Sequence, residues 1–236
     1  MFNSIPHLAT PVIVDTNKAL ATLRWLNQEM DKRYRSMSKF KARDLEGYNA
    51  TVAKISTADL AEHEKFHEEL GVRVAMDSYY YTPQPYIVVV CEEFGDLMAV
   101  DKQNVEQSVV RLAQMARACG IHLVLAMQSP RKDVVTGMIK TNIPGRISFK
   151  VASKMDSRII LDESGAERLL TRGDMLFVSP GTSKPARHHG PWVADNEIAR
   201  VTEFWHSQAE PEFDPMAMKA LEGTFGMGGD GSDGGE

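Results

Sequence analysis

From residue 86 onward, apolar and largely β-branched runs alternate with helix-patterned segments, and that alternation leaves few folds open. The runs are residues 86–92 (YIVVVCE), 121–128 (IHLVLAMQ) and 145–151 (GRISFKV). Between the first two lies a helical pattern over 104–120, closed by Gly120, and between the second and third a shorter helix near 133–141. Near-continuous apolar strands separated by helices predict an α/β domain built on a mostly parallel sheet with helices on both faces. Downstream, residues 153–170 read as two short helical segments and residues 173–180 (GDMLFVSP) as a further strand. The stretch KPARHHGPWV then reads as a loop entering a final strand, and residues 195–208 as a helix with Ile198, Val201 and Trp205 on one face.

The N-terminal part is organised differently. After Asp15-Thr16, either a suitable helix cap, Leu20, Leu23, Leu26, Met30 and Tyr34 recur at spacings of three and four, which predicts a long amphipathic helix. Its second half carries Lys32, Arg33, Arg35 and Lys39, with Lys41 and Arg43 just beyond, a basic group expected to be a solvated face. Residues 50–84 are polar, contain a second predicted helix (TADLAEHEKFHEELGV), and are punctuated by Pro83 and Pro85 before the first strand. The expected organisation is an N-terminal helical segment with a divergent insert (1–84), an α/β core (85–208) and a flexible glycine-rich acidic tail (209–236).

Composition limits function mainly by exclusion. With 236 residues and 43% hydrophobic content the chain suffices for one sizeable core. Its net charge of -5 means that contact with nucleic acid must rest on a local basic patch. Two cysteines, Cys91 and Cys119, suit reduced, buried thiols. No apolar run approaches the roughly 18 residues that span a bilayer, so a soluble, cytoplasmic chain without direct membrane insertion is expected.

The chemistry lies where strands end, because in parallel α/β sheets ligands bind beyond the carboxyl ends of the strands. The first run stops at adjacent carboxylates, Glu92 and Glu93, and the second at Gln128. A buried strand ending in two acids is the Walker B arrangement: one carboxylate helps hold Mg²⁺, often through water, and the next orients or deprotonates an attacking water. By itself the pattern also fits a strand simply leaving the core for solvent, and Gln128 also fits a hydrogen-bonding loop residue. A metal-dependent hydrolase using Glu92, Glu93 and nearby histidines is the weaker alternative. His188 and His189 are adjacent, point apart in an extended segment, and chelate poorly.

Read together, the segments IPHLATPVIVD, LRWLNQEMDKRY, LEGYN, PYIVVVCEEFGDLM, RLAQMARACGIHLVLAMQSP, DVVTGMIKTNIPGRISFKVASKMDSRIILDESGAERLLTRGDML and HHGPWVAD resemble the FtsK/SpoIIIE family of DNA translocases over about residues 5–205. That resemblance implies an incomplete RecA-like P-loop NTPase core, a hexameric ring of FtsK-like subunits around double-stranded DNA, ATP and Mg²⁺ bound between neighbours, and work in chromosome or plasmid segregation. Carried over by position, Glu92 stands at the metal-holding acid and Glu93 at the catalytic glutamate. Gln128 matches the sensor glutamine. Arg158 is the first candidate to reach a neighbour's ATP and Arg146 the second, the local alternative for Arg158 being an ion pair with Asp156 or Asp162. Lys140, Lys154, Arg168 and Arg172 are candidates for DNA phosphate contacts.

The departures from the family pattern are specific. The family's G-x-x-x-x-G-K-[ST] loop has no counterpart in these residues, and Gly-Lys does not occur among them. Without it there are no cradling backbone N–H groups, no lysine for the β and γ phosphates and no hydroxyl for Mg²⁺. The strand that precedes that loop is missing too, so runs 121–128 and 145–151 are expected to lack the partner between them. Glu92 replaces the usual aspartate and lengthens the arm by one methylene. Met127 and Ser129 replace a threonine and an arginine. The family's C-terminal winged-helix module and N-terminal membrane spans have no counterpart here. The expectation is part of an ATP-dependent DNA translocase motor that is inactive alone, or else a non-catalytic relative that binds motor subunits or DNA and regulates the ring.

Overall fold

The computed structural model describes residues 2–55 and 81–223. The helix predicted within 57–72, most of the divergent insert and the last part of the glycine-rich tail lie outside the described residues. In chain order the elements are α1 (Thr16–Lys39), α2 (Leu45–Val52), β1 (Ile87–Cys91), α3 (Phe94–Val100), α4 (Lys102–Met115), β2 (Ile121–Leu125), α5 (Gly137–Asn142), β3 (Arg146–Ser148), α6 (Lys154–Leu161), β4 (Asp174–Val178), β5 (Ala186–His189), α7 (Asp195–His206) and α8 (Pro215–Leu221). Short 3-10 turns occupy Phe2–Ser4 and Ala166–Arg168. No helix among the described residues is long and apolar enough to cross a membrane. The chain divides into two units, one of residues 26–91 and 111–124, the other of residues 1–25, 92–110 and 125–236.

The 26–91/111–124 unit is organised by α1. Asp15 starts that helix by accepting from the Lys18 N–H at 2.9 Å, and Leu26 and Met30 from the predicted stripe are buried, with Met37 buried beyond it. The basic group on α1 is not uniformly solvated, however. Arg33 is buried and donates to Glu29 Oε1 at 2.8 Å, to the Pro85 carbonyl at 2.8 Å and to the Cys119 carbonyl at 3.0 Å. A guanidinium withdrawn from water must be paired and fully hydrogen-bonded, and here it gathers three separate stretches of chain. Asn49 and Gln84 exchange bonds of 2.8 and 2.9 Å that fasten α2 to the segment entering β1. Gly120 follows α4 at φ 73°, where a Cβ would fall 2.3 Å from Leu45 Cδ2, so both backbone sign and space demand glycine.

β1 and β2 pair as a two-stranded sheet. They run parallel: the Ile87 N–H at the start of one meets the Gly120 carbonyl just before the other at 2.9 Å, and the Phe94 N–H past one meets the Ala126 carbonyl past the other at 2.8 Å. The burial of β1 alternates, with Val88 and Val90 at 63% and 69% exposure. Val124 on β2 is exposed as well. The reading of strands covered on both faces therefore holds for one face among the described residues, and a row of valines is bare on the other.

The second sheet has the order β3-β4-β5 and is antiparallel, with Ile147 opposite Phe177 and Met175 opposite His188. β2 and β3 belong to different sheets. The stretch read as a loop before a final strand is itself the strand, β5, because the turn at 179–185 folds it back on β4. Leu161, Ala166, Leu169 and Val178 form the core beneath this sheet. α6 begins with a capping box, Ser153 Oγ accepting from Asp156 N–H and Asp156 accepting from Ser153 N–H. Asp174 on β4 is 2% exposed and accepts Arg187 Nε at 2.9 Å, Arg187 Nη2 at 2.8 Å and Leu170 N–H at 2.6 Å. Past residue 208 the chain builds one further helix, α8, whose cap Asp214 accepts from Met216 and Ala217 N–H and whose Ala217 and Ala220 are buried.

Candidate functional site

Two strand ends supply the site. β1 finishes at Cys91, and Glu92 and Glu93 lie in the step to α3, with Glu92 exposed and Glu93 partly buried. Phe94, Leu97 and Met98 are buried and anchor α3, so the backbone immediately after the two acids is fixed from behind. Glu93 Oε2 accepts from the backbone N–H of Gln128 at 3.1 Å. The two sequence-predicted residues are thus brought together, but through the main chain of Gln128; its side chain stays exposed. Oε1 of Glu93 faces Gly95, where an added Cβ would sit 3.1 Å away. The result is a carboxylate held at one oxygen by a fixed donor, the condition for aiming the other at a water molecule.

The arginines separate clearly. The Arg158 side chain is exposed on α6 and makes no hydrogen bond or ion pair among the described residues, while its carbonyl accepts from the Asp162 N–H at 3.0 Å. Neither local carboxylate takes it: Asp156 serves the capping box, and Asp162 accepts from Lys140 at 2.6 Å and from Arg146. Asp162 sits at φ 63°, the left-handed cap of α6. The Lys140 ammonium first, and the Arg146 guanidinium after it, hold the Asp162 carboxyl below the usual carboxylate range against partial burial, which works the other way. Arg146 also donates to the Ile160 carbonyl at 2.8 Å, which commits it within its own chain. A groove of about 440 Å³ between α5 and α6 is lined by Lys132, Lys140 and Arg158, with Val135, Met155 and Ile159 as its apolar wall.

The other basic candidates do not form one cluster with that groove. Lys154 opens α6 and is exposed. Arg168 is exposed and lies 3.6 Å from Glu167. Arg172 is exposed at φ 61° in the turn before β4, and its carbonyl contacts His189 Nε2 at 3.2 Å. What the sequence reading missed is the Asp174–Arg187 fork, which lowers the Asp174 carboxyl to about 2, chiefly through the Arg187 hydrogen bonds. The only local signal for it was an acid opening a strand, which says nothing about a partner 13 residues away.

As a place for ATP and Mg²⁺ the described residues are one half of what is needed. Glu92 and Glu93 offer adjacent carboxylate oxygens, yet no group of three or more His, Cys, Asp or Glu side chains able to hold a metal occurs among the described residues. No glycine-rich lysine loop stands opposite them in the sequence. The residues present do not by themselves fit the nucleotide and its metal.

Comparison with known proteins places the chain. The FtsK/SpoIIIE family model matches residues 1–132. The chain is 43% identical over 243 aligned residues to the DNA translocase FtsK of Pseudomonas syringae pv. tomato, covering 100% of the chain and 29% of that protein. It is 45% identical to DNA translocase FtsK 2 of Ralstonia nicotianae, covering 90% of the chain and 27% of that protein. The chain thus spans under a third of the length of these relatives. Among solved structures it resembles the pCW3 conjugation coupling protein TcpA with ATPγS (TM-score 0.59, 25% identity, 81% of this chain and 50% of that one). The cytoplasmic domain of the Thermomonospora curvata type VII secretion ATPase EccC, with TM-score 0.56 and 19% identity over 84% of this chain and 21% of that one, shares the fold. With the family model covering more than half of the chain and close relatives covering all of it, the protein belongs to the FtsK/SpoIIIE family and has its RecA-like α/β core fold.

Proposed function

We propose that this chain is the Walker B-bearing part of an FtsK-like, ATP-dependent double-stranded DNA translocase motor, acting in chromosome or plasmid segregation, and that it does not turn over ATP by itself. The observation that carries this reading is the Glu93 carboxylate, presented at the end of one parallel strand and hydrogen-bonded by the backbone beyond the next. In a site completed by further residues Glu93 would be the carboxylate that orients and deprotonates a water, and Glu92, exposed and one methylene longer than the family's acid, would be the one to hold a hydrated metal. Gln128 presents its free amide toward the phosphates. Arg158, being unpaired, is the guanidinium available to a neighbouring subunit's nucleotide in a ring, which gives it priority over the locally committed Arg146. For DNA, Lys154, Arg168 and Arg172 are exposed, and Lys140 contributes from the groove while paired with Asp162.

The test is ATP turnover by the chain alone and titrated into a full-length FtsK motor, with and without double-stranded DNA. The expected result is no turnover alone and an altered rate in the mixture. Turnover by the lone chain that Glu93→Ala abolishes would overturn the half-site reading. The bare valine face of β1 and β2 favours a second reading, a non-catalytic relative that docks on motor subunits and regulates them. A motor whose rate ignores the added chain would count against it.

A further inference from the structure

The basic group at the end of α1 has no part in the strand-end site, and the fold adds to it. Arg35, Lys41 and Arg43 are exposed, and their side chains make no hydrogen bond or ion pair among the described residues. Lys39 lies one helical turn past Arg35, its Nζ donating to Tyr81 Oη at 2.7 Å and standing 4.6 Å from the centre of that ring. Past the helix the Ala42 N–H reaches back to the Met37 carbonyl at 2.9 Å, and Lys41 takes the left-handed conformation, φ 53°, that this ending requires. Glycine fills such a position without steric cost, so a lysine there goes against the backbone's own preference. The Leu45 N–H donates to the Ala118 carbonyl at 2.9 Å, which ties the stretch carrying Arg117, exposed past the end of α4, to the stretch carrying Arg43. Nearby acids are engaged elsewhere: Asp44 caps α2 through the Gly47 N–H at 2.8 Å, Glu46 accepts the Tyr86 hydroxyl at 3.2 Å, and Asp31 accepts Arg111 at 2.6 Å. Arg43 precedes the first turn of α2, where the helix dipole disfavours a cation, so its charge does not serve that helix.

We infer that Arg35, Lys41, Arg43 and Arg117 form a further contact surface for the phosphate backbone of double-stranded DNA, made of different residues from Lys154, Arg168 and Arg172. The inference rests on the double-stranded DNA reading above. In a chain of net charge -5, cations gathered without counter-charges mark where a polyanion is favoured over the rest of the surface. Three of the four are arginines, whose planar forks pair phosphate oxygens two at a time. The apolar side chains set the choice between a nucleic acid and a membrane. None within residues 35–43 is exposed: Met37 is buried, and Phe40 packs edge-on against Tyr48 at 5.7 Å and Tyr81 at 5.8 Å. With nothing to insert into a bilayer, the surface offers charge alone, which suits a phosphate backbone. Contacts of that kind position a duplex and carry no sequence information.

The experiment is fluorescence anisotropy of a labelled double-stranded DNA of mixed sequence, titrated with the full chain across a salt series. Removing the four cations together (Arg35→Gln, Lys41→Gln, Arg43→Gln, Arg117→Gln) is expected to lower the logarithmic salt slope by about 3 to 4, since each phosphate contact contributes about 0.9. Lys41→Gly guards against misfolding. Glycine suits φ 53°, so the thermal midpoint is expected to hold while the slope falls by about 1. Arg43→Lys keeps the charge and is expected to keep the slope. Each loss is expected to be the same on a second duplex of unrelated sequence. A fourfold variant with the wild-type slope would overturn the inference; if the Lys154→Gln, Arg168→Gln, Arg172→Gln variant loses slope in the same assay, the DNA reading stands without it. A wild-type chain that ignores duplex DNA and binds phosphatidylserine vesicles instead would overturn this inference together with the other DNA contacts.

Discussion

Glu93 and Asp174 are both carboxylates at the ends of strands, and the structure treats them in opposite ways. Asp174 is buried, meets three donors and has its titration pushed down to about 2. Glu93 is partly exposed and has one fixed donor on one oxygen. A carboxylate whose acceptor sites are filled by its own chain holds structure together and has nothing left to offer a ligand. One held at a single oxygen is oriented and still available. The same contrast sorts the arginines: Arg187 and Arg146 are used up inside the chain, whereas Arg158 is not.

The largest expected effect follows from the filled carboxylate. Asp174→Asn leaves Arg187 and the Leu170 N–H without their acceptor charge and is expected to lower the thermal midpoint by roughly 10 °C, measured by circular dichroism. Glu93→Gln, by contrast, is expected to leave the midpoint nearly unchanged; equal losses in the two variants would erase the distinction. The pH dependence follows with its sign. Because the folded Asp174 value lies below the ordinary 3.8, its stabilising contribution is complete above that value and is lost as pH falls toward about 2. An acid titration of stability should therefore be shallower for Asp174→Asn than for the wild-type chain across that window.

Arg146→Ala comes next, with an expected loss of about 1–3 kcal/mol in urea denaturation, since it strips Asp162 of one partner and the Ile160 carbonyl of its donor. A smaller effect separates the two ways Gln128 acts. Gln128→Pro removes the N–H that holds Glu93 and is expected to cost about 1–2 kcal/mol. Gln128→Ala keeps that N–H and should change stability by less than about 0.5 kcal/mol. A loss from the alanine variant as large as that from proline would place the important contact on the side chain.

Smallest in stability is Arg158→Ala, expected within about 0.5 kcal/mol of wild type because no intramolecular bond is lost. Its effect should appear in ATP turnover when the chain is titrated into a full-length FtsK motor: Arg158→Ala is expected to alter the motor's rate less than the wild-type chain does. An equal effect of the two chains would count against a role for Arg158 at a neighbouring subunit's nucleotide.

Much of the strand-end site was readable beforehand because it is written in local order. Apolar runs of the right length, followed at once by Glu92-Glu93 and by Gln128, need only chain connectivity to put these residues at strand ends. The helix entry at Asp15 was likewise legible from nearby residues. The antiparallel β3-β4-β5 sheet was not, since the pairing depends on how the turn at 179–185 folds back and not on the composition of the strands. The α8 helix within the stretch read as tail was hidden by the glycine-rich composition that follows it.

By itself the sequence determined the long first helix, the alternation of strands and helices from residue 86, the family and the identity of the acids at the strand end, because period and neighbouring residues act over a few positions. Only the tertiary structure decided which charges are spent. Arg33, Arg146 and Arg187 look no different from Arg158 in the sequence, and each finds its fate in partners brought from distant stretches of chain. An ion pair is set by distance and burial in three dimensions, and those are properties of the packed fold rather than of any segment.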